Sequence, residues 1–310
     1  MTGGAGFLGS HLCDALVARG DQVVCVDNLS SGRLANLEDL LGRGSSFSLL
    51  RCDVSAGLEV SGPVDAVLHL ASLASPPEYL RWPLETLEVG SRGSAAAIAL
   101  AERSGARFVL ASTSEVYGDP LVHPQHEEYW GNVNPIGLRS VYDEAKRFAE
   151  ALTMAHVRAG SLDGGIVRIF NTYGPRLRSG DGRVVSNFVS QALAGEALTV
   201  YGDGTQTRSF CYVDDLVRGL LAMTDARGIP GPVNLGNPTE RSVAELASLV
   251  LRLTGSTSPI TSAPLPADDP VRRRPDIARA GRLLGWKPEV DLEDGLARTV
   301  EWFVALHEAR

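Results

Sequence analysis

Lysine is nearly missing from this sequence. Lys146 and Lys287 are the only two, so arginine supplies all but two of the 29 basic residues, and a lysine inside a motif carries unusual weight. Basic charge is also short overall. With 37 acidic residues the formal net charge is −8, the opposite of the basic footprint that selects nucleic-acid phosphates, so no nucleic-acid partner is expected. Cysteine is scarce and scattered. Cys13, Cys25, Cys52 and Cys211 show no Cys-x-x-Cys spacing, which excludes a disulfide framework or zinc site and leaves reduced, packing thiols. No window approaches the roughly 18 uninterrupted apolar residues of a membrane span, and no basic region precedes an apolar one at the N-terminus. Neither a membrane span nor a secretory signal is therefore expected, and the cytoplasm is the expected compartment. What remains is ordinary globular chemistry: 44% hydrophobic and 21% charged residues over 310 positions, enough for two units or one large unit with a smaller lobe.

Short apolar runs at Gln22 to Val26, Ser46 to Leu50, Ala66 to Leu70, Arg107 to Leu110 and Gly165 to Phe170 alternate with amphipathic stretches. That alternation predicts an α/β fold, a Rossmann-like doubly wound parallel sheet with helices on both faces. After Asn171 to Pro175 the chain becomes turn-rich, as in a lobe that closes over a ligand. A division near residue 170 follows: 1–170 for a dinucleotide-binding unit and 171–310 for a smaller substrate lobe. Phe210 to Thr224 and Pro232 to Gly236 again read as strand, helix and strand, so the chain is expected to return to the first sheet over about 209–236. Thr254 to Asp269, rich in Ser, Thr and Pro, reads as a loop.

Gly3, Gly6 and Gly9 form a Gly-x-x-Gly-x-x-Gly turn that runs directly into a helical pattern at His11, Leu12, Ala15 and Leu16. Such glycines let backbone approach a pyrophosphate, and the helix start offers unpaired N–H groups with a partial positive charge. Asp27 ends the next apolar run 18 residues past Gly9, where a carboxylate accepts hydrogen bonds from an adenosine ribose. An acid there repels a ribose 2′-phosphate and favours NAD over NADP, with Arg33 as the contrary sign. Asp53 is open between adenine contact and loop capping.

Tyr142 and Lys146 lie four apart in Ser140 to Ala155, whose apolar positions Val141, Ala145, Phe148, Ala149 and Leu152 predict a buried helix, so the pair shares a face. An ammonium beside a phenol lowers its pKa and makes tyrosinate a general base for a hydroxyl whose carbon loses hydride. Upstream, the run from Arg107 leads into Ser112, Thr113, Ser114 and Glu115, at the strand end where α/β sheets place their ligand crevice. Glu115 is there a carboxylate able to move a proton on carbon or to position water. His123 and His126 lack further ligands, and no metal is expected.

Together these residues resemble the extended short-chain dehydrogenase/reductase superfamily, and within it the UDP-glucuronate decarboxylase (UDP-xylose synthase) family, along nearly the whole chain. The resemblance is carried by Thr2 to Gly9 (TGGAGFLG), His69 to Pro77 (HLASLASPP), Ala111 to Pro120 (ASTSEVYGDP), Tyr129 to Gly137 (YWGNVNPIG), Tyr142 to Arg147 (YDEAKR), Ile169 to Pro175 (IFNTYGP), Asp181 to Phe188 (DGRVVSNF) and Thr199 to Tyr212. It implies an enzyme that oxidises C4 of UDP-glucuronate with bound NAD, loses carbon dioxide from the resulting β-keto acid and returns the hydride, and it implies a homodimer. Tyr142, Lys146, Thr113 and Glu115 become the catalytic set, with Glu115 assisting protonation at C5. Cofactor contacts fall to Gly3, Gly6, Phe7, Leu8, Gly9, Asp27, Asn28, Leu29, Ser31, Gly32, Asp53, Val54, Leu70, Ser72, Tyr142, Lys146, Thr172 and Arg183. Substrate contacts fall to Ser114, Asn171, Arg183, Arg208 and Arg273.

Two departures stand out. Only Met1 and Thr2 precede Gly3, where the family has a central strand; an apparently truncated first strand would expose neighbouring edges and loosen the phosphate loop, so either the start is mis-assigned or the sheet adapts. Glu88, Val89 and Gly90 stand where the family has Lys-Thr-Asn, and a glutamate there repels a glucuronate unless it turns away. Both suggest a cycle that releases some UDP-4-keto-pentose. A nucleotide-sugar 4,6-dehydratase, a 4-epimerase and a catalytically silent NAD-binding sensor are the alternatives.

Overall fold

The computed structural model describes residues 1–229, 231–265 and 272–308. The apolar runs of the first half form five strands, β1 (Val23–Asp27), β2 (Phe47–Arg51), β3 (Ala66–His69), β4 (Arg107–Thr113) and β5 (Gly164–Ile169). Between them lie α1 (Phe7–Arg19), α2 (Glu38–Leu41), α3 (Pro76–Arg81), α4 (Pro83–Glu88), α5 (Ser94–Ser104) and α6 (Ser140–Arg158). All pairings among β1 to β5 are parallel, as helical crossovers require. Every residue of β4 is buried. Its side chains alternate between two cores: Val109 joins Leu12, Leu16 and Leu220, while Phe108 and Leu110 join Ile98, Ala101 and Ala149. This is the period of two that a sheet covered on both faces imposes.

The centre of the sheet corrects the expectation drawn from the short first strand. Thr2 bridges in parallel to both Val26 and His69. Backbone N–H groups of Val26 and Leu70 donate to the Met1 and Thr2 carbonyls at 2.7 and 3.1 Å, and those of Thr2 and Gly3 donate to Leu68 and Val26 at 3.0 and 2.8 Å. One extended residue held on both sides therefore closes the gap between β1 and β3 and anchors the glycine loop that follows it.

Beyond β5 come β6 (Thr172–Tyr173), α7 (Val184–Leu193), β7 (Leu198–Tyr201), β8 (Thr207–Ser209), β9 (Cys211–Tyr212) and α8 (Val213–Asp225). The chain then rejoins the main sheet through β10 (Pro232–Leu235), which pairs parallel with β5. It ends in β11 (Glu240–Ser242), α9 (Val243–Thr254), β12 (Ile260–Ala263), β13 (Arg272–Arg273), α10 (Ala278–Leu284) and α11 (Leu292–Glu308). The stretch from Thr254, read as a loop, contains β12, which pairs parallel with β7. Its residues 266–269 lie outside the described residues. Three short strands in the order β11-β8-β13 bring Arg208 opposite Arg273, 65 positions later, and carry both to the open end of the main sheet.

One side chain of α6 also departs from expectation. Phe148, assigned to its buried face, is half exposed, and that face instead buries Tyr142, Asp143, Lys146 and Glu150 beside Ala145 and Ala149.

Candidate active site

A cavity of about 1000 Å³ opens along the C-terminal ends of β1, β3, β4 and β5 and is closed opposite by residues of the 171–183 segment, β8 and β13. The sheet supplies the floor, because at strand ends the backbone turns and side chains face the crevice.

At one end lies the glycine loop. Gly3 has a positive φ of 72°, and a Cβ at Gly9 would collide with the Gly3 carbonyl oxygen, so both positions need glycine. Gly6 caps the 13-residue α1 without a side chain, which leaves the first helical N–H groups facing the cavity. This cradle fits the pyrophosphate of a dinucleotide. Asp27 accepts N–H bonds from Ala5 and Leu29 at 2.9 and 2.8 Å, and burial pushes its carboxyl above the ordinary range against those two bonds. A Cβ on Gly32 would fall 2.9 Å from its Oδ1, so glycine there lets the loop close over the carboxylate. Asp53 caps the turn at Val54–Ala56 through the Ser55 N–H at 2.9 Å and also accepts from Asn28 at 3.1 Å; it does this capping while lining the cavity. Phe7, Leu8, Ser31, Val54, Leu70, Ser72 and Thr172 line it too. Leu29 does not. At φ 61° its side chain packs onto the core, and only its N–H serves the site, through Asp27.

The other end carries the chemistry. Lys146 Nζ donates to the Ala111 carbonyl at 2.8 Å and lies 5.9 Å from the centre of the Tyr142 ring. Burial lowers Lys146 to about 8. The expectation that the ammonium lowers Tyr142 is corrected: burial and the Glu115 carboxylate push the phenol up to about 12, opposed by a hydrogen bond with Thr113 and by Arg183. Tyr79, unnoticed in the sequence, stacks on Tyr142 with ring centres 5.2 Å apart.

Glu115 is held differently from what a proton donor requires. Arg139 Nη2 donates to its Oε2 at 2.6 Å, and Arg273 forks onto both oxygens. The two guanidinium groups overcome burial and hold the carboxyl at about 2. The two guanidinium partners favour the charged form of Glu115, which accepts rather than gives a proton. Arg273, expected on substrate, lines the cavity and pairs with Glu115. Asp143, which does not line the cavity, feels burial and the same Glu115 charge and is raised to about 7.

Ser114, Asn171, Arg183 and Arg208 line this end. Arg183 pairs with Asp181 at 3.1 Å and donates to Ala74 O at 3.4 Å, while Arg178 reaches across to Glu78. Glu88 lines the cavity but is half exposed and lies 3.8 Å from Arg92. The backbone beside it approaches α6 closely, because a Cβ on Gly90 would stand 2.5 Å from that of Ala145. His123 faces Glu240 at 3.1 Å, and no group of three His, Cys, Asp or Glu suited to a metal occurs among the described residues. Arg139 was legible in principle: it lies three residues before Tyr142 on the same helical flank. Glu78 and Arg178, 100 positions apart, gave no local signal.

A parallel sheet with a glycine loop at the start of α1 and a Tyr–Lys pair at the end of β4 defines a dinucleotide-dependent oxidoreductase type of site. The model of the NAD dependent epimerase/dehydratase family matches residues 1–236, and the chain belongs to that family. It is 52% identical over 303 residues to UDP-glucuronic acid decarboxylase 1 of Danio rerio, covering 98% of this chain and 72% of that one. Identity to UDP-glucuronic acid decarboxylase 3 of Arabidopsis thaliana is 49% over 304 residues, covering 98% and 88%. Among solved structures, UDP-glucuronic acid 4-epimerase from Bacillus cereus, in complex with UDP-glucuronic acid and NAD, matches with a TM-score of 0.88 at 26% identity over 98% of each chain.

Proposed function

We propose that this protein is an NAD-dependent decarboxylase that converts UDP-glucuronate to UDP-xylose. The observation that carries the reading is the near 50% identity to UDP-glucuronic acid decarboxylases along almost the whole chain, in a molecule whose Thr113, Glu115, Tyr142 and Lys146 share one cavity. In this reading residues 1–170, with the returning segment at 209–236, hold the cofactor and the remainder holds the nucleotide sugar.

The dinucleotide would lie on the Gly3–Gly9 cradle with its ribose toward Asp27, and when bound it supplies a hydride acceptor that later gives the hydride back. Tyr142 takes the C4 hydroxyl proton in its tyrosinate form, which Thr113 and Arg183 favour against burial, with the Lys146 ammonium beside its ring. Oxidation at C4 makes the sugar a β-keto acid. Its carboxyl leaves as carbon dioxide because the electron pair left at C5 delocalises into the C4 carbonyl, where the Tyr142 hydroxyl stabilises the enolate oxygen. Glu115 holds Arg139 and Arg273 at the cavity wall, where guanidinium groups suit a carboxylate or phosphate. A proton from water adds at C5, and return of the hydride to C4 while Tyr142 gives its proton back to the C4 oxygen gives the pentose.

Four free cysteines agree with a reducing, cytoplasmic compartment. No helix among the described residues is long and apolar enough to cross a membrane. A homodimer accounts for the exposed Leu80, Leu84 and Leu87 of α3 and α4 beside the exposed Phe148 of α6. Sedimentation shows a single species of twice the chain mass if that surface pairs two copies. The activity is tested by incubating the protein with NAD and UDP-glucuronate and measuring carbon dioxide. Release identifies the decarboxylase; its absence, with epimerised or dehydrated products instead, overturns the reading.

A further inference from the structure

Glu150 lies one turn beyond Lys146 on the buried face of α6. It does not line the cavity, and its carboxylate is tied down from two strands. Ser112 Oγ donates to its Oε1 at 2.6 Å, and Arg168 donates through Nε to Oε1 at 2.9 Å and through Nη2 to Oε2 at 2.7 Å. Ser112 and Arg168 are partners across the β4–β5 ladder, so the carboxylate spans that seam. The neighbouring residues of β4 complete the pattern: Ala111 takes Lys146 through its carbonyl, and the Thr113 side chain acts on the Tyr142 phenol against its upward shift. Three successive strand residues thus engage Lys146, Glu150 and Tyr142 of one helix.

We infer that Glu150 is a positioning residue for the reaction, pinning α6 to β4 and β5 and placing a carboxylate one turn from Lys146 so that the ammonium stays charged and in place beneath Tyr142. The titratable and charged groups around Lys146 are Tyr142 and Glu150 on α6, His69 at the end of β3, Glu115 after β4 and Arg168 on β5. Burial keeps His69 neutral, Arg139 and Arg273 neutralise Glu115, and Arg168 is committed to Glu150 and to the Tyr117 hydroxyl at 2.9 Å. Against the burial that lowers Lys146, Glu150 is the charge that acts upward.

The scarcity of lysine makes a direct test available. Protein labelled with carbon-13 at the lysine side chain gives two signals, and exposed Lys287 serves as the internal reference for buried Lys146. With Glu150→Gln the Lys146 titration is expected to move to lower pH by about one unit while Lys287 stays, because an opposite charge has been removed. Ser112→Ala, which keeps that charge, is expected to leave it near the wild-type midpoint. If Glu150→Gln fails to fold with Arg168 left unpaired, Glu150→Gln combined with Arg168→Gln is expected to give a smaller shift in the same direction, because a positive neighbour is removed together with the carboxylate. An unmoved Lys146 titration in either folded variant overturns the inference. A second arm rests on the decarboxylase reading: kcat falls about tenfold at pH 8, with its alkaline limb displaced to lower pH, while KM is nearly unchanged. Absence of turnover in the wild type counts against that reading alone, because the lysine titration needs no substrate.

Discussion

The two walls of the cavity are held by opposite means. On the sheet side, Lys146 is fixed by a hydrogen bond to the Ala111 carbonyl of β4, 35 positions earlier, that exists as soon as α6 docks, and Tyr142 shares its helical face. On the lobe side, Arg178, Arg183 and Arg273 are held by carboxylates and carbonyls, Arg178 and Arg273 on partners 100 and 158 positions distant. The first wall is set by secondary structure and does not depend on a ligand. The second is a set of ion pairs, so binding and chemistry are proposed for different walls and are expected to respond to different mutations.

The largest expected effect strikes the sheet wall. Tyr142→Phe removes the acid–base hydroxyl and should cost about 10³-fold in turnover while NAD affinity by calorimetry stays within about twofold. A small loss of turnover would mean that another group does the proton transfer. Next comes Glu115, a carboxylate that joins the walls. Glu115→Gln leaves Arg139 and Arg273 without their buried anion and is expected to destabilise the protein by about 3 kcal/mol at pH 7 in denaturant titration. Because its folded pKa of about 2 lies below the ordinary 4.5, this stabilisation is complete above that ordinary value and is lost as pH falls toward 2. The variant and the wild type should therefore converge in acid.

At the cofactor end, Gly9→Ala should weaken NAD binding by about tenfold, since its methyl has no room against the Gly3 carbonyl. Unchanged affinity would show that the loop yields more easily than its double anchoring through Thr2 implies. The smallest effect belongs to the lobe wall: Glu78→Gln breaks a partly exposed pair, so KM for the sugar nucleotide should change about threefold at constant kcat. A kcat effect as large as that of Tyr142→Phe would erase the distinction between the walls.

The same division decides what the sequence reveals. The glycine loop, Asp27 and the Tyr142–Lys146 pair were legible because each is a short spacing on one element whose period fixes the geometry. Glu115 was legible as a residue but not in its pairing, since Arg139, 24 positions away, meets it only when α6 docks and Arg273, 158 positions away, only through the lobe. Phe148 misled because helical periodicity marks an apolar side as inward, whereas α6 buries a catalytic and polar face and leaves Phe148 half exposed. Thr2 misled in the other direction: strand length suggested a loose sheet, but pairing on both sides needs only one residue.

Although the short first strand and Glu88 suggest a leak, we propose a closed cycle, because the sheet wall holds its Tyr–Lys pair and Thr2 anchors the glycine loop from both sides. It is tested by incubating the protein with NAD and UDP-glucuronate and following carbon dioxide, NADH absorbance and product mass together. Carbon dioxide with matching UDP-xylose and no lasting NADH is the predicted result; carbon dioxide accompanied by equivalent NADH and a UDP-4-keto-pentose would contradict it.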